Sequence, residues 1–294
     1  MVMKKAFTML ELVMVIVVLG IVASIGADII LALYNNYLRA RTINSLETQT
    51  ELVLEQIAKR LQYRIKDSTI ARTSSNDFTA LSNGDSTYSI LEWIGYSNES
   101  LLSNPPGWSG FIDLNHTSTT KPYLKTHDSN LSFAANTMSV LTNNDINLTS
   151  GKEAALIFRI PYNATDFGWG NANANGDGNA IIKVIQETDD VLKISNDDNG
   201  TEIYEHYYLT HSAYAIVPST FNSTDFNLTL HYNYQPWSSK NNYTSGSSAL
   251  LAQHVSLFQF KQDETVIRLK LCLHDNNETG TGDRIAICKE KVVF

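Results

Sequence analysis

Few residues in this sequence have the type and spacing to do chemistry, and the most isolated of them is Glu11. Between Phe7 and Ala27 it is the lone carboxylate, and only Thr8 and Ser24 are otherwise polar. An ionised carboxylate among hydrocarbon neighbours is costly and normally has a partner. Its chemistry is therefore pairing. Cys272 and Cys288 are the only cysteines. They face each other if a hairpin turns near Gly280, and a disulfide closing that loop would constrain the unfolded chain by about 3 kcal/mol. The competing reading is a thiol or metal pair, but the Cys-x15-Cys spacing with His274 alone is poor metal geometry. The run Asn171-Ala-Asn173-Ala-Asn175-Gly176-Asp177-Gly178 offers the first half of a calcium loop. Its twelfth position is Ile182, where a calcium loop needs a bidentate carboxylate. A flexible hairpin tip explains the run better, so no cofactor is expected. Asp275, Glu278 and Asp283 form a second, weak oxygen cluster. His206, His211 and His231 sit among tyrosines and read as satisfied surface or core histidines. No GxSxG, HExxH, phosphate-binding glycine loop or nucleophile–base pair occurs, so the chain does not read as an enzyme.

Ten Asn-x-Ser/Thr acceptors are present, and six carry Asp two positions earlier: Asn115, Asn130, Asn147, Asn199, Asn227 and Asn277. With 30 acidic residues in 294, about one such coincidence would arise by chance. The pattern resembles the extended acceptor of bacterial periplasmic N-oligosaccharyltransferases, which implies glycans at several of these sites. An Asx-rich loop composition produces both residue types together and is the competing explanation.

These residues need elements to hold them. Phe7 to Leu33 spans roughly 40 Å as a helix, enough to cross a bilayer, and Lys4 and Lys5 just before it place the N-terminus on the cytoplasmic side. Beyond it, Leu38, Ile43, Leu46, Leu52, Val53, Ile57, Leu61 and Ile65 recur mostly at three- to five-residue spacings while charged residues cover other faces. No Gly or Pro interrupts Ala27 to Ala71, so one long helix is expected, with its amphipathic half over residues 34–71. An anchor followed by an independent coiled stalk is the alternative. Residues 72–150 are polar and turn-rich, with short strands expected at Thr87–Trp93 and Ser139–Leu141. From residue 151 to 294 the pattern is β; within Val266–His274, Val266, Arg268 and Lys270 alternate with Ile267, Leu269 and Leu271, and the face opposite the charges should receive the helix. The fold class is α+β. A net charge of −8 argues against nucleic acid as a partner.

Lys4-Lys5-Ala6 followed by Phe7-Thr8-Met9-Leu10-Glu11-Leu12 resembles the leader and mature start of the type IV pilin-like family, over about the first 30 residues. Ala6 stands where that family usually has Gly. The resemblance implies a leader of residues 1–6, cleavage by a prepilin peptidase between Ala6 and Phe7, and methylation of the new Phe7 amine. Residues 7–33 then form the membrane half of the helix, and Glu11 pairs with a Phe7 amine, a neighbour's or its own. It further implies other pilin or pseudopilin subunits and an inner-membrane assembly platform as partners. The C-terminal part would lie in the periplasm, and the assembled filament in the periplasm or at the cell surface. The chain's size and the segments around Leu250–Leu273 resemble a minor pilin or a J-type minor pseudopilin of type II secretion. Similar C-terminal disulfide loops occur in pilins, and some pseudopilins bind calcium. A membrane-tethered adhesin or sugar-binding module outside any filament is the rival reading.

Overall fold

The computed structural model describes residues 8–75, 77–169, 180–195, 202–219, 224–276 and 284–294. Its first element is a 54-residue helix, α1 (Met9–Gln62), about 80 Å long at 1.5 Å per residue. Positions 46, 50, 53, 54, 57, 58 and 61 are its buried stripe, and every one lies in the second half. Among the described residues, nothing buries the first half.

The helix stops at Gln62 and not near Ala71. Tyr63 caps it, and the Ile65 amide donates to the Ile94 carbonyl oxygen at 2.8 Å, turning the chain into a sheet. Ile65 and Ile70 stay buried on the new course, so the apolar spacing runs past the helix end without a helix beneath it. The Arg64 guanidinium secures the turn. It donates to the carbonyl oxygens of Leu61 (2.7 Å), Phe294 (3.1 Å) and Thr265 (3.4 Å).

Among the described residues the strands are β1 (Ile70–Arg72), β2 (Phe78–Ala80), β3 (Ile90–Gly95), β4 (Tyr123–Lys125), β5 (Ala154–Phe158), β6 (Ile182–Thr188), β7 (Val191–Ile194), β8 (Tyr207–Thr210), β9 (Ser212–Pro218), β10 (Phe226–Tyr234), β11 (Ser247–Asp263), β12 (Val266–His274) and β13 (Ala286–Val293). Helices α2 (Asn98–Leu101) and α3 (Leu131–Leu141) complete the regular structure with four 3-10 turns. The strands form two antiparallel sheets, ordered β13-β12-β11-β10-β9-β3-β1-β2 and β4-β7-β6-β5-β8. The α+β class therefore holds. Each sheet takes strands from both sides of residue 151.

Alternation explains the layering. Leu91 and Trp93 of β3 and Ile216 of β9 join α1 in one core, whereas Ile90 and Ile94 of β3 and Ala213 and Ala215 of β9 face the other way. There they meet Ala155 and Ile157 of β5, while Leu156 and Phe158 of β5 pack with Met138 of α3. The order is α1, eight-stranded sheet, five-stranded sheet, α3. Strands β3 and β5 are buried on both faces, which is why they read as continuous apolar runs. In β12, Ile267, Leu269, Leu271 and Leu273 enter the core beneath α1, while on the opposite face Arg268 and Lys270 point away and Cys272 and His274 are buried.

The strand expected at Ser139–Leu141 is instead the last turn of α3. Leu131, Ala134, Ala135 and Met138 bury one helical face, and the Asn130 side chain accepts from the Phe133 amide at 3.0 Å as an N-cap. Packing and cap together override the β preference of Val140.

Candidate functional site

The feature that sets this molecule apart is the bare half of α1. Met9, Leu10 and nearly every large apolar residue to Leu38 are exposed, Met9 at 87% and Leu33 at 63%. Its most apolar 18-residue window has mean hydropathy 2.7, with none of it buried. This one helix is long and apolar enough to cross a membrane, with a folded, soluble-type body behind it. An apolar surface of this size cannot remain in water, and lipid or other helices are its natural cover.

At the tip, the Glu11 carboxylate closes back on its own helix. Its Oε2 accepts from the Thr8 amide and the Thr8 hydroxyl, both at 3.0 Å, and the Thr8 Oγ1 accepts from the Glu11 amide at 3.4 Å. This is a capping box, which occupies two of the otherwise orphaned donors of the helix start. Sequence reasoning missed it, although Thr8-x-x-Glu11 is its signature. Ala6 and Phe7 lie outside the described residues, so the pairing expected between Glu11 and a Phe7 amine has no geometry here.

At the root, the helix is fastened to the body. Lys289 and Lys291 of β13 meet Glu51 and Glu55 of α1 at 2.9 and 2.7 Å. The hydrogen bond from Lys291 holds the Glu55 carboxyl below its ordinary range and raises the Lys291 ammonium. Beneath these surface pairs the stripe Leu46–Leu61 fills the core, so the rod is continuous with the body and is no separate stalk.

Cys272 and Cys288 are bonded, and they are direct register partners on β12 and β13. The turn placed near Gly280 is outside the described residues. So are Asn199, Asn277, Glu278, Asp283 and the stretch Asn171–Gly178, and the calcium reading falls with them into undescribed chain. Of the four glycan acceptors in view, Asn115 is exposed on a turn, its amide held by Asp113 Oδ1 at 3.0 Å. Asn130 caps α3, Asn147 accepts from the Thr149 amide at 3.2 Å, and Asn227 lies within β10.

The histidines behave as expected at two positions. His211 is buried, its Nδ1 lies 2.9 Å from Ser97 Oγ, and burial pushes its imidazole down to about 4. His231 Nδ1 lies 3.0 Å from the Tyr243 carbonyl oxygen, and its partial burial lowers it too. The aromatics pack on one another: Tyr96 stacks on Tyr208 at 5.3 Å and edges Trp108 at 6.2 Å. One cluster was not legible from sequence. Asp225, His254 and His274 come together in space although 49 positions separate the first from the last, and no local spacing signals it. Comparison with protein-family models, with curated proteins and with solved structures finds no match.

Proposed function

We propose that this chain is a structural subunit of a pilin-like filament, a type IV pilus or a type II secretion pseudopilus, and a minor one by its size. The observation that carries the reading is the division of α1. Its first half is bare and apolar, and its second half is built rigidly into the body by the Leu46–Leu61 stripe and the Lys289–Glu51 and Lys291–Glu55 pairs.

In this reading the processed subunit waits in the inner membrane, with the body in the periplasm. The bilayer covers the bare half and the capping box holds Glu11. An assembly platform lifts the subunit out, and the same apolar surface is covered by the helices of neighbouring subunits. The two environments are similarly apolar, so the transfer needs no large change in hydrophobic free energy. Glu11 is then the group that discriminates. Removed from the interface, it exchanges its internal contacts with Thr8 for a neighbour's N-terminal amine and sets axial register. Because α1 is continuous into the core, force and register at the tip reach the body directly.

The test is Glu11→Ala, scored by the fraction of the chain recovered in sheared filaments against the fraction left in membranes. The reading expects normal membrane levels with little or no filament-borne chain. Undiminished incorporation of the variant would remove Glu11 from the mechanism.

A further inference from the structure

Strands β10, β11 and β12 are neighbours in the large sheet, and one end of them gathers Asp225, His254 and His274. Asp225 immediately precedes β10, and His274 is the last residue of β12. His254 reaches the group through an irregularity. Between the pairs Phe226–Val255 and Leu228–Ala252 the register shifts, placing an extra residue in β11, and His254 takes a left-handed backbone with φ 56°. Bulges of this kind re-aim a side chain out of the regular alternation.

His274 is the informative member. It is 4% exposed, and its Nδ1 lies 2.9 Å from the Asp275 carbonyl oxygen. A carbonyl only accepts, so Nδ1 carries the proton, and a neutral ring then presents a bare lone pair at Nε2. That Nε2 makes no hydrogen bond among the described residues, yet it lies 3.4 Å from Asp225 Oδ1. A buried lone pair facing a carboxylate is unfavourable, and either a proton on Nε2 or a metal cation between the two relieves it; the second imidazole on the same carboxylate points to the metal. On the other side of the carboxylate, Asp225 Oδ2 lies 3.3 Å from His254 Nδ1.

We propose that Asp225, His254 and His274 form a binding site for a divalent transition-metal ion of the zinc class. Two ligands on a tetrahedral ion with bonds of about 2.0–2.1 Å stand about 3.4 Å apart; His274 Nε2 has that spacing from Asp225 Oδ1 and His254 Nδ1 from Oδ2, so the carboxylate turns to offer one oxygen to an ion shared by both rings. All three donor atoms lie within 4.8 Å of one another, so modest side-chain rotation closes the set. The contact from His274 Nδ1 to a backbone carbonyl is the outer support that fixes the tautomer of a ligating histidine. Two imidazoles with one carboxylate suit zinc, not calcium, whose ligands are oxygens. Asp225 and His254 are each about one-third exposed, at 33% and 34%, leaving water room to take the fourth position. When the ion binds, His254 ligates through Nδ1 and keeps its proton on Nε2. The ion would brace three strands beside the Cys272–Cys288 bond.

The experiment uses the untagged full chain in detergent, stripped with a chelator and titrated with Zn²⁺ against a competing chelator dye. The expected result is one saturable equivalent per chain, with an affinity at least about tenfold weaker in His254→Asn and in Asp225→Asn. Asn is chosen at 254 because it tolerates the left-handed backbone. Co²⁺ in place of Zn²⁺ should give the intense visible bands of a tetrahedral site. Absence of saturable uptake by the wild-type chain overturns the proposal, and so does equal affinity in folded variants.

Discussion

Replacing Ile57 with Ala tests whether the rod and the body are one mechanical piece. Ile57 is fully buried in the core shared by α1 and the large sheet, together with Trp93. The substitution removes three carbons, about 2.4 kcal/mol at roughly 0.8 kcal/mol each. The cavity left behind adds to this, since the neighbours belong to strands fixed in register, and the total should reach about 3–4 kcal/mol. Leu52, on the same helix, is 55% exposed, and Leu52→Ala should change stability by less than about 0.5 kcal/mol. Both variants are unfolded with urea as full chains in detergent and followed by tryptophan fluorescence, because Trp93 reports on this core. Ile57→Ala should lower the midpoint by about 1 M or more. Equal midpoints for the two variants would refute the docking and restore an independent stalk.

Two further outcomes follow from particular side chains. Because His211 is held near 4 against about 6.5 unfolded, the unfolded state binds more protons between these values, so stability should fall as pH drops through that window, by about 3 kcal/mol at pH 4. Urea midpoints from pH 7 to 4 measure this, and a His211→Gln chain that keeps the same acid slope would assign it elsewhere. If the acceptor pattern is used, the glycan belongs, among the described acceptors, on Asn115, since Asn130, Asn147 and Asn227 are engaged in a cap, a turn and a strand. Peptide mass from the native host checks this, and a bare Asn115 peptide rules it out.

What could be read from the sequence was what is local. Val266–Leu271 alternates because one face is covered and the other carries Arg268 and Lys270, so its strand and its buried face were visible directly. The rod was visible because nothing but lipid or another helix tolerates such a run. The end of α1 was hidden because Ile65 and Ile70 stay buried after the chain leaves the helix, and periodicity reports burial, not hydrogen bonding. The division into two sheets was hidden because β3 and β5, covered on both faces, carry no alternation to say which layer each face meets. At Ser139–Leu141 the local β preference pointed the wrong way, and the Asn130 cap with the Leu131–Met138 face decided it. The Asp225–His254–His274 cluster depends on strand register and a bulge, neither of which is written in the spacing of its members.

The measurement that bears most directly on the filament reading is the mass of the N-terminal peptide of the chain recovered from its native membranes. The account predicts a mature chain beginning with N-methylated Phe7, which keeps Thr8 and Glu11 at the tip of the rod. A chain that retains Met1, or one that begins beyond the apolar segment, would contradict it.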